Sequence, residues 1–461
     1  MTTLWSGRFD AQPDAATFAW GASFLFDRRL FEDDVVGSAA WAGALGRAGV
    51  LSTEDAGAIR TALADMLARA REDPAFVDGP DEDVHSFVER LLVERLGDTG
   101  RRLHTGRSRN EQVSLDLRLY LRRRILALRQ GIRRVAASLA AQASAAGTAL
   151  MPSFTHFRPA QPVLVAHFFL SYVAPLRRDF GRLETARAEA DALPLGSGAI
   201  AGTSYPVDVS ALARDLGFSR VVANSIDASS DRDFVATFLY ACTLTMVHLS
   251  RLAEDLVILC GDEHGFFELS DSLSTGSSMM PQKKNPDPLE LVRGKSGRVV
   301  GHLMGMLTTM KGLPTGYNKD LQEDKEAVFG AEDTLAGCLE VVTAVVRGLT
   351  LNGERAERAT SGLLLATDVA DYLVGRGVPF RRAHEIVGAL VRKLVEERRE
   401  FGSLTPKEWQ AVSDRFEPDI GSRVTPQASV ASKCTPQSTA PAAVARALDE
   451  VERWLEQSST D

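Results

Sequence analysis

The sequence is poor in cysteine. Only four cysteines occur among its 461 residues, at positions 242, 260, 338 and 434, and no two of them form a Cys-x-x-Cys pair. Such wide spacing indicates buried thiols in a reducing cytoplasm, and it argues against a disulfide framework or a cysteine-based zinc site. The eight histidines also avoid the His-x-x-x-His and His-Glu-x-x-His patterns of metal-binding helices. The sequence therefore predicts no metal site.

Positive charge is in the minority too. Lys and Arg total 53 against 61 acidic residues, which gives a formal net charge of -8. This balance argues against nucleic acid as the main partner. The segment 1–8 has no apolar core of the kind that secretory signals carry, so we expect a cytoplasmic protein.

One stretch has no charge at all. Residues 234–250 contain no charged side chain and approach the minimum length of a membrane-spanning helix. Charged residues stand close on both sides, however, with Asp231, Arg232 and Asp233 before the stretch and Arg251 after it. We therefore predict a helix inside a bundle or a subunit interface, and no membrane span.

Long helical patterns dominate the middle of the chain, whereas alternation of period two is almost absent. The predicted long helices cover 110–146, 163–192, the run ending at Cys260, 289–310 and 321–349. We predict an all-α fold, with an N-terminal helical domain (1–109), a central bundle of five long helices that forms an oligomer core (110–360) and a C-terminal helical domain (361–461). Because uncharged helix middles need partners, we expect a homo-oligomer.

The loop 275–287 combines hydroxyls, cations and an amide between glycine and proline. Backbone N–H groups around Ser277 can turn toward one anion, and the helix that follows adds the positive end of its dipole. Lys283 or Lys284 would supply full charge, and Asn285 a directed donor. This composition favours a carboxylate-binding loop over an ordinary basic surface loop.

Three further segments place polar side chains next to predicted helices. In 103–111, Arg109 offers a fork for a carboxylate, although composition alone also fits a polar helix cap with exposed arginines. In 152–162, His156 lies between prolines that fix the backbone, and a surface role is an equal alternative on these grounds. The dense charges of 316–326 also fit a solvated helix start.

These segments resemble a known group of lyases. Ser-Ser-Met-Met-Pro-Gln-Lys-Lys-Asn, from Ser277 to Asn285, resembles the signature of the fumarase/aspartase superfamily, and its ending is similar to the argininosuccinate lyase family within it. Thr-Gly-Arg-Ser-Arg-Asn at 105–110 and Tyr-Asn-Lys-Asp-Leu-Gln-Glu-Asp-Lys at 317–325 are also similar to that family, except that Glu111 replaces a more usual Asp. His85 belongs to another similar element.

The resemblance implies cleavage of argininosuccinate to arginine and fumarate in arginine biosynthesis, without a metal or organic cofactor. It also implies a homotetramer whose active sites are shared between subunits. The implied catalytic residues are Ser277, His156, Glu290 and Lys283. The implied substrate-binding residues are Ser23, Arg109, Asn110, Thr155, Asn285, Tyr317, Gln322 and Lys325.

The implied reaction removes a weakly acidic carbon-bound proton and leaves a doubly charged carboxylate intermediate, which donors such as Lys283 would stabilise. We predict Ser277 as the base and His156, oriented by Glu290, as part of the acid system; the reverse assignment stays open. Two other functions stay open as well. One is a superfamily lyase acting on adenylosuccinate or aspartate, and the other is a catalytically silent structural protein on the same scaffold.

Overall fold

The computed structural model describes residues 14–360 and 362–458. Over this part of the chain, helices supply almost all of the regular structure. The helices are α1 Ala15–Gly21, α2 Phe24–Asp27, α3 Phe31–Arg47, α4 Thr53–Glu72, α5 Val84–Leu96, α6 Asp98–Arg101, α7 Arg109–Ala146, α8 Val165–Ala190, α9 Val209–Asp215, α10 Ser225–Ser230, α11 Asp233–Cys260, α12 Asp287–Met310, α13 Asp324–Arg347, α14 Gly353–Arg358, α15 Ala366–Val374, α16 Phe380–Glu397, α17 Pro406–Val412, α18 Ile420–Arg423, α19 Pro426–Ala431 and α20 Pro441–Gln457.

The strands are short. They are β1 Leu150–Thr155, β2 Arg158–Leu164, β3 Ala192–Leu193, β4 Arg220–Val221, β5 Phe267–Glu268, β6 Thr275–Gly276, β7 Lys284–Asn285 and β8 Thr350–Leu351. They form four two-stranded pairs, β1 with β2, β3 with β4, β5 with β8 and β6 with β7. The prediction of an all-α fold with five long helices is confirmed. The five long helices are α7, α8, α11, α12 and α13, and the strands are short segments in the connections between helices.

The apolar spacing of the long helices explains why they form. In α7, the side chains of Leu117, Leu121, Ile125, Leu128 and Ile132 recur every three or four residues, and each is at most 2% exposed. This period places them on one face of the helix, and burial of that face stabilises it far more than helix propensity does.

The chain divides into two compact units. The first consists of Met1–Arg129, Gly181–Leu244 and Gly297–Leu335, and the second of Gln130–Phe180, Thr245–Ser296 and Ala336–Asp461. The three domains expected from the sequence stay a prediction.

Each unit has its own apolar core. In the first unit α3 packs against α4, and Trp41, Leu45, Ile59 and Leu63 are fully buried. In the second unit, one core cluster is formed by side chains of α15, α16 and the segments after them. Its largest members are Leu373, Leu394, Phe401, Trp409 and Phe416.

The segment 150–164 differs from its sequence-based prediction. We expected a proline-bounded loop, but β1 and β2 form an antiparallel hairpin with Thr155 opposite Arg158. His156 and Phe157 make its two-residue turn, both with positive φ (53° and 57°), as tight hairpin turns require. Prolines normally argue against strands, but a two-stranded ribbon has two open edges at which a missing N–H is tolerated.

Helix α11 is long and apolar enough, by length and composition, to cross a membrane. Within the chain, 56% of its most apolar window is buried. Core helices of large proteins are also long, apolar and mostly buried. The burial of α11 agrees with the sequence-based prediction of a helix inside a bundle.

Candidate active site

A cavity of about 930 Å³ in the first unit gathers five of the implied substrate ligands. Ser23, Arg109, Tyr317, Gln322 and Lys325 all line it. They come from the start of α2, the start of α7, the segment before α13 and the first turn of α13, so residues far apart in the chain share one concave surface. A concave site with convergent polar groups is where a ligand is expected to bind.

Ser23 is held in place at one end of the cavity. Its Oγ donates a 2.5 Å hydrogen bond to Asp27 Oδ2, and its backbone nitrogen donates to the carbonyl oxygen of Glu82 over 2.7 Å. The backbone nitrogen of Val84 donates to Asp27 Oδ1 over 3.0 Å. The segment around Ser23 is therefore tied to the start of α5.

The cavity also carries acidic groups that sequence reasoning did not assign. Arg109 Nη1 donates to Asp83 Oδ1 over 2.6 Å. Burial raises the pKa of Asp83, but Arg109, His85 and the hydrogen bonds from Ser86 together lower it by more, so the pKa lies below its usual value. Burial raises the pKa of Asp27. The Asp-Glu-Asp-Val-His run was the sequence signal that could have identified Asp83.

The cavity therefore offers both signs of charge. Arg109 and Lys325 supply cations, whereas Asp27 and Asp83 supply carboxyl groups. Burial raises the pKa of Tyr317, another lining residue, to about 12, so its hydroxyl stays protonated and can donate a hydrogen bond. A ligand with carboxylates and cationic groups would fit this lining.

Asn110 does not line the cavity, although it follows Arg109 in the first turn of α7. Its backbone nitrogen donates to Ser108 Oγ over 3.3 Å. The side chain of Glu111 completes the cap, since Oε1 accepts from the Ser108 nitrogen and Oε2 from the Gly198 nitrogen, each over 3.0 Å. Burial raises the pKa of Glu111 to about 7. The residue that departs from the family pattern thus has a structural role at this helix start.

Three buried side chains, Asp34, His85 and Asp116, could hold a metal ion by geometry, and His85 also lines the cavity. His85 Nδ1 lies 3.4 Å from an oxygen of each aspartate. Arg107 already supplies positive charge to both carboxyl groups. Burial and the neighbouring Asp34 raise the pKa of Asp116 well above its usual value. The prediction of no metal site stays a prediction.

In the second unit, Ser277 lies in the loop that joins β6 to β7. Its Oγ accepts hydrogen bonds from the backbone nitrogens of Met279 (3.2 Å) and Met280 (3.0 Å). The loop therefore turns back on the serine oxygen and aims two donors at it. Helix α12 starts at Asp287, two residues after Asn285 ends β7.

The two lysines of this loop differ in their surroundings. Lys284 Nζ lies 2.8 Å from Asp271 Oδ1 and 3.3 Å from Glu268 Oε1, and these carboxylates raise the pKa of Lys284. Among the described residues, Lys283 has no ion-pair partner, and it is exposed. Lys283 is therefore the cation that is available to a ligand.

Thr155, His156 and Glu290, three further predicted residues of this unit, are also exposed, whereas Asn285 is half-buried. Thr155 and His156 lie at the tip of the β1–β2 hairpin. Glu290 lies in the first turn of α12, where Arg293 Nη2 is 3.9 Å from its Oε1. In the described part of the chain, no hydrogen bond joins His156 to Glu290, so their pairing stays a prediction.

The fold and these loops define a class of protein. A nearly all-helical chain with a Ser-Ser-Met-Met-Pro loop ahead of a long helix has the architecture of the fumarase/aspartase superfamily. In agreement, a family model described as Lyase matches residues 7–301, and one described as Argininosuccinate lyase C-terminal matches residues 363–431.

Individual relatives narrow the class. The argininosuccinate lyase of Roseiflexus sp. is 47% identical over 460 residues, which cover 98% of this chain and 100% of the relative. That of Moorella thermoacetica is 46% identical over 456 residues, or 98% of each chain. A solved structure, an EDDS lyase variant with bound fumarate, is 25% identical with a TM-score of 0.84, covering 98% of this chain and 92% of that one. The chain therefore belongs to the argininosuccinate lyase family, a family of carbon–nitrogen lyases, and the resemblance is confirmed.

Proposed function

We propose that this chain cleaves argininosuccinate reversibly to L-arginine and fumarate by β-elimination, as a step of arginine biosynthesis. The observation that carries the proposal is the cavity, which brings Ser23, Arg109, Tyr317, Gln322 and Lys325 together from separate segments. A substrate with three carboxylates and a guanidinium needs cationic and neutral donors for the carboxylates and anionic acceptors for the guanidinium. The near-complete coverage of argininosuccinate lyases from other organisms supports the same substrate.

The proposed chemistry begins at Ser277. In the succinyl part of the substrate, one carbon carries the departing nitrogen and its neighbour is a CH2 group bonded to a carboxylate. The base removes a proton from this CH2 group, and the negative charge spreads onto that carboxylate. The C–N bond then breaks, its electron pair leaves with the guanidino nitrogen, and an acid donates a proton to that nitrogen. Fumarate and arginine result, so atoms and charges balance.

Ser277 can act as a base only where its alkoxide is stabilised, because a serine hydroxyl is a very weak acid. The N–H groups of Met279 and Met280 already point at its oxygen. The Lys283 ammonium and the Asn285 amide would stabilise the dianionic intermediate, and each donor of this kind contributes about 3 kcal/mol. His156, oriented by Glu290, supplies the acid, and no metal or organic cofactor takes part.

Substrate recognition is divided over the remaining residues. The eight proposed ligands are Ser23, Arg109, Asn110, Thr155, Asn285, Tyr317, Gln322 and Lys325. Spreading the binding energy over so many groups would orient the scissile bond for elimination.

The proposed assembly is a homotetramer in the cytoplasm with active sites shared between subunits. Helix α12 supports this, because Val300, Met304 and Leu307 recur along one face and are 38%, 57% and 44% exposed in the single chain. Tyr240 on α11 is 48% exposed. A second copy of the chain would cover such apolar side chains. Light scattering should give about four times the chain mass of 49.9 kDa; a monomer would contradict the assembly.

Fumarate absorbance after addition of argininosuccinate to the purified protein tests the function. Release of fumarate is the expected outcome. Release from adenylosuccinate or aspartate instead would favour another superfamily lyase. Absence of release from all three substrates, by a protein with intact helices, would favour a silent scaffold.

A further inference from the structure

A buried chain of charged side chains leads to the wall of the cavity in the first unit. Asp324, the first residue of α13, shares its carboxylate between two cations. Arg232 Nε donates to Oδ2 over 2.5 Å, and Lys325 Nζ donates to Oδ1 over 2.9 Å. The side chains of Arg232 and Asp324 are 0% exposed, and that of Lys325 is 3% exposed. Of the three, only Lys325 lines the cavity.

The backbone that precedes α11 holds Arg232 rigidly. Arg232 Nη1 donates to the carbonyl oxygen of Asp231 over 2.8 Å. The Asp231 carboxylate accepts in turn from Arg118 Nη2 (2.5 Å) and from the backbone nitrogen of Asp233 (2.7 Å). The starts of α11 and α13 and the body of α7 therefore fix the position of the Asp324 carboxylate.

The charges of this cluster do not cancel. Burial raises the pKa of Asp324, but Lys325 and Arg232 lower it by more, so the carboxyl group is ionised. Within this trio two cations face one anion, so positive charge remains on Lys325 at the cavity that it lines. A buried charge without a partner is costly. Asp27 also lines the cavity, and its carboxyl group interacts with Lys325.

We propose that Asp324, held by Arg232, is a positioning residue that aims the Lys325 ammonium at a carboxylate of the substrate. The inference rests on the proposed function, because it takes Lys325 as a substrate ligand. An ammonium has three N–H donors; one of them binds Asp324, and the others are free to face the cavity. Fixing this flexible side chain before the ligand arrives lowers the entropy cost of binding.

A purely structural role is the competing explanation, in which Asp324 only ties the start of α13 to Arg232. The two explanations differ in their coupling to Lys325. If Asp324 acts through Lys325, its removal has no further effect on substrate binding once the lysine has been replaced. A structural role predicts independent effects on substrate binding, since the two residues then have no shared task.

The test is a double-mutant cycle on the full-length enzyme, with Asp324→Asn, Lys325→Met and the double variant. We expect each single variant to raise KM for argininosuccinate at least about tenfold and to lower kcat by less than about threefold, because the loss is in binding. The double variant should be no worse than Lys325→Met. Asp320→Asn is the matched control, because it makes the same change at an exposed position of the same segment, and its KM should stay within about twofold of wild type.

An unchanged KM in Asp324→Asn would overturn the inference, and so would additive losses in the double variant. In either case fumarate release by the wild type would still uphold the proposed function, whereas a wild type without release would refute that function itself. If Asp324→Asn does not fold, the variant Arg232→Gln/Asp324→Asn removes both buried charges together. The inference predicts the same rise in KM for it, and a normal KM would reject the positioning role.

Discussion

The Oγ of Ser277 lies 3.0 Å from the backbone nitrogen of Met280, which donates a hydrogen bond to it. The nitrogen of Met279 donates to the same oxygen over 3.2 Å. Backbone donors that already point at a hydroxyl oxygen would stabilise its alkoxide without reorganisation. This local geometry agrees with the proposed role of Ser277 as a base.

Substitution of Ser277→Ala should reduce fumarate release by about 10³-fold or more, because it removes the proposed base. Fumarate absorbance measures the rate, and far-ultraviolet circular dichroism should show unchanged helices. Ser278→Ala is the matched control and should keep wild-type activity. An unimpaired Ser277→Ala enzyme would refute the assigned base.

The two lysines of the same loop should respond differently to substitution. Lys283→Met should lower kcat by about 10²-fold, because it removes a cation aimed at the intermediate. Lys284→Met should lower kcat by less than about tenfold, because Asp271 and Glu268 already bind its ammonium. Steady-state kinetics of both variants measure the two values of kcat. A larger effect at Lys284 would show that the assignment of the catalytic cation is wrong.

Gly106, ahead of α7, should not tolerate a side chain. Its φ is +71°, and an added Cβ would lie 2.5 Å from Tyr205 Cδ2 and 2.8 Å from Thr203 Oγ1. Gly106→Ala should lower the free energy of unfolding by about 1–3 kcal/mol. Gly57→Ala is the control: Gly57 lies inside α4 with open space around it, so this change should raise stability by about 0.5–1 kcal/mol. Thermal unfolding measures both, and equal effects would contradict the local strain.

Stability should also depend on pH through Asp33. Burial raises the pKa of Asp33 to about 7, against its ordinary 3.8, although Arg123 Nη2 at 2.9 Å opposes the shift. Between these values the folded chain holds a proton that the unfolded chain has lost. The contribution is therefore fully present below pH 3.8 and is lost as the pH rises to about 7, by at most about 1.4 kcal/mol per pH unit.

Asp33→Asn has no such proton. Its free energy of unfolding relative to wild type should therefore improve between about pH 5 and about pH 7. Urea unfolding of both proteins at the two pH values measures the difference. A difference that does not change with pH would show that Asp33 is ionised throughout this range.

The helices could be predicted closely from the sequence. The expected 110–146 is observed as Arg109–Ala146, and the expected 289–310 as Asp287–Met310. Apolar residues at every third or fourth position specify a helix and its buried face wherever the chain goes next. The β1–β2 hairpin was missed, because its prolines and its lack of alternation hide a ribbon that pairs through backbone hydrogen bonds.

The residues of the site could also be predicted from the sequence, since Ser277, Lys283, Arg109 and Lys325 lie in short motifs. The side chains that bind them could not be predicted. The order of residues does not show that Lys284 forms an ion pair with Asp271, or that Arg109 donates a hydrogen bond to Asp83. Both interactions depend on distances that are set only in the folded chain.

The sequence by itself determined the periodic helices, the family and the chemistry of the individual side chains, all of which are local properties of the chain. The tertiary structure decided which of those side chains share a cavity, which charges are already paired and which remain available to a ligand. Burial and proximity arise only when distant segments pack together, and they fix the Lys325 ammonium beside Asp324 at the wall of the cavity.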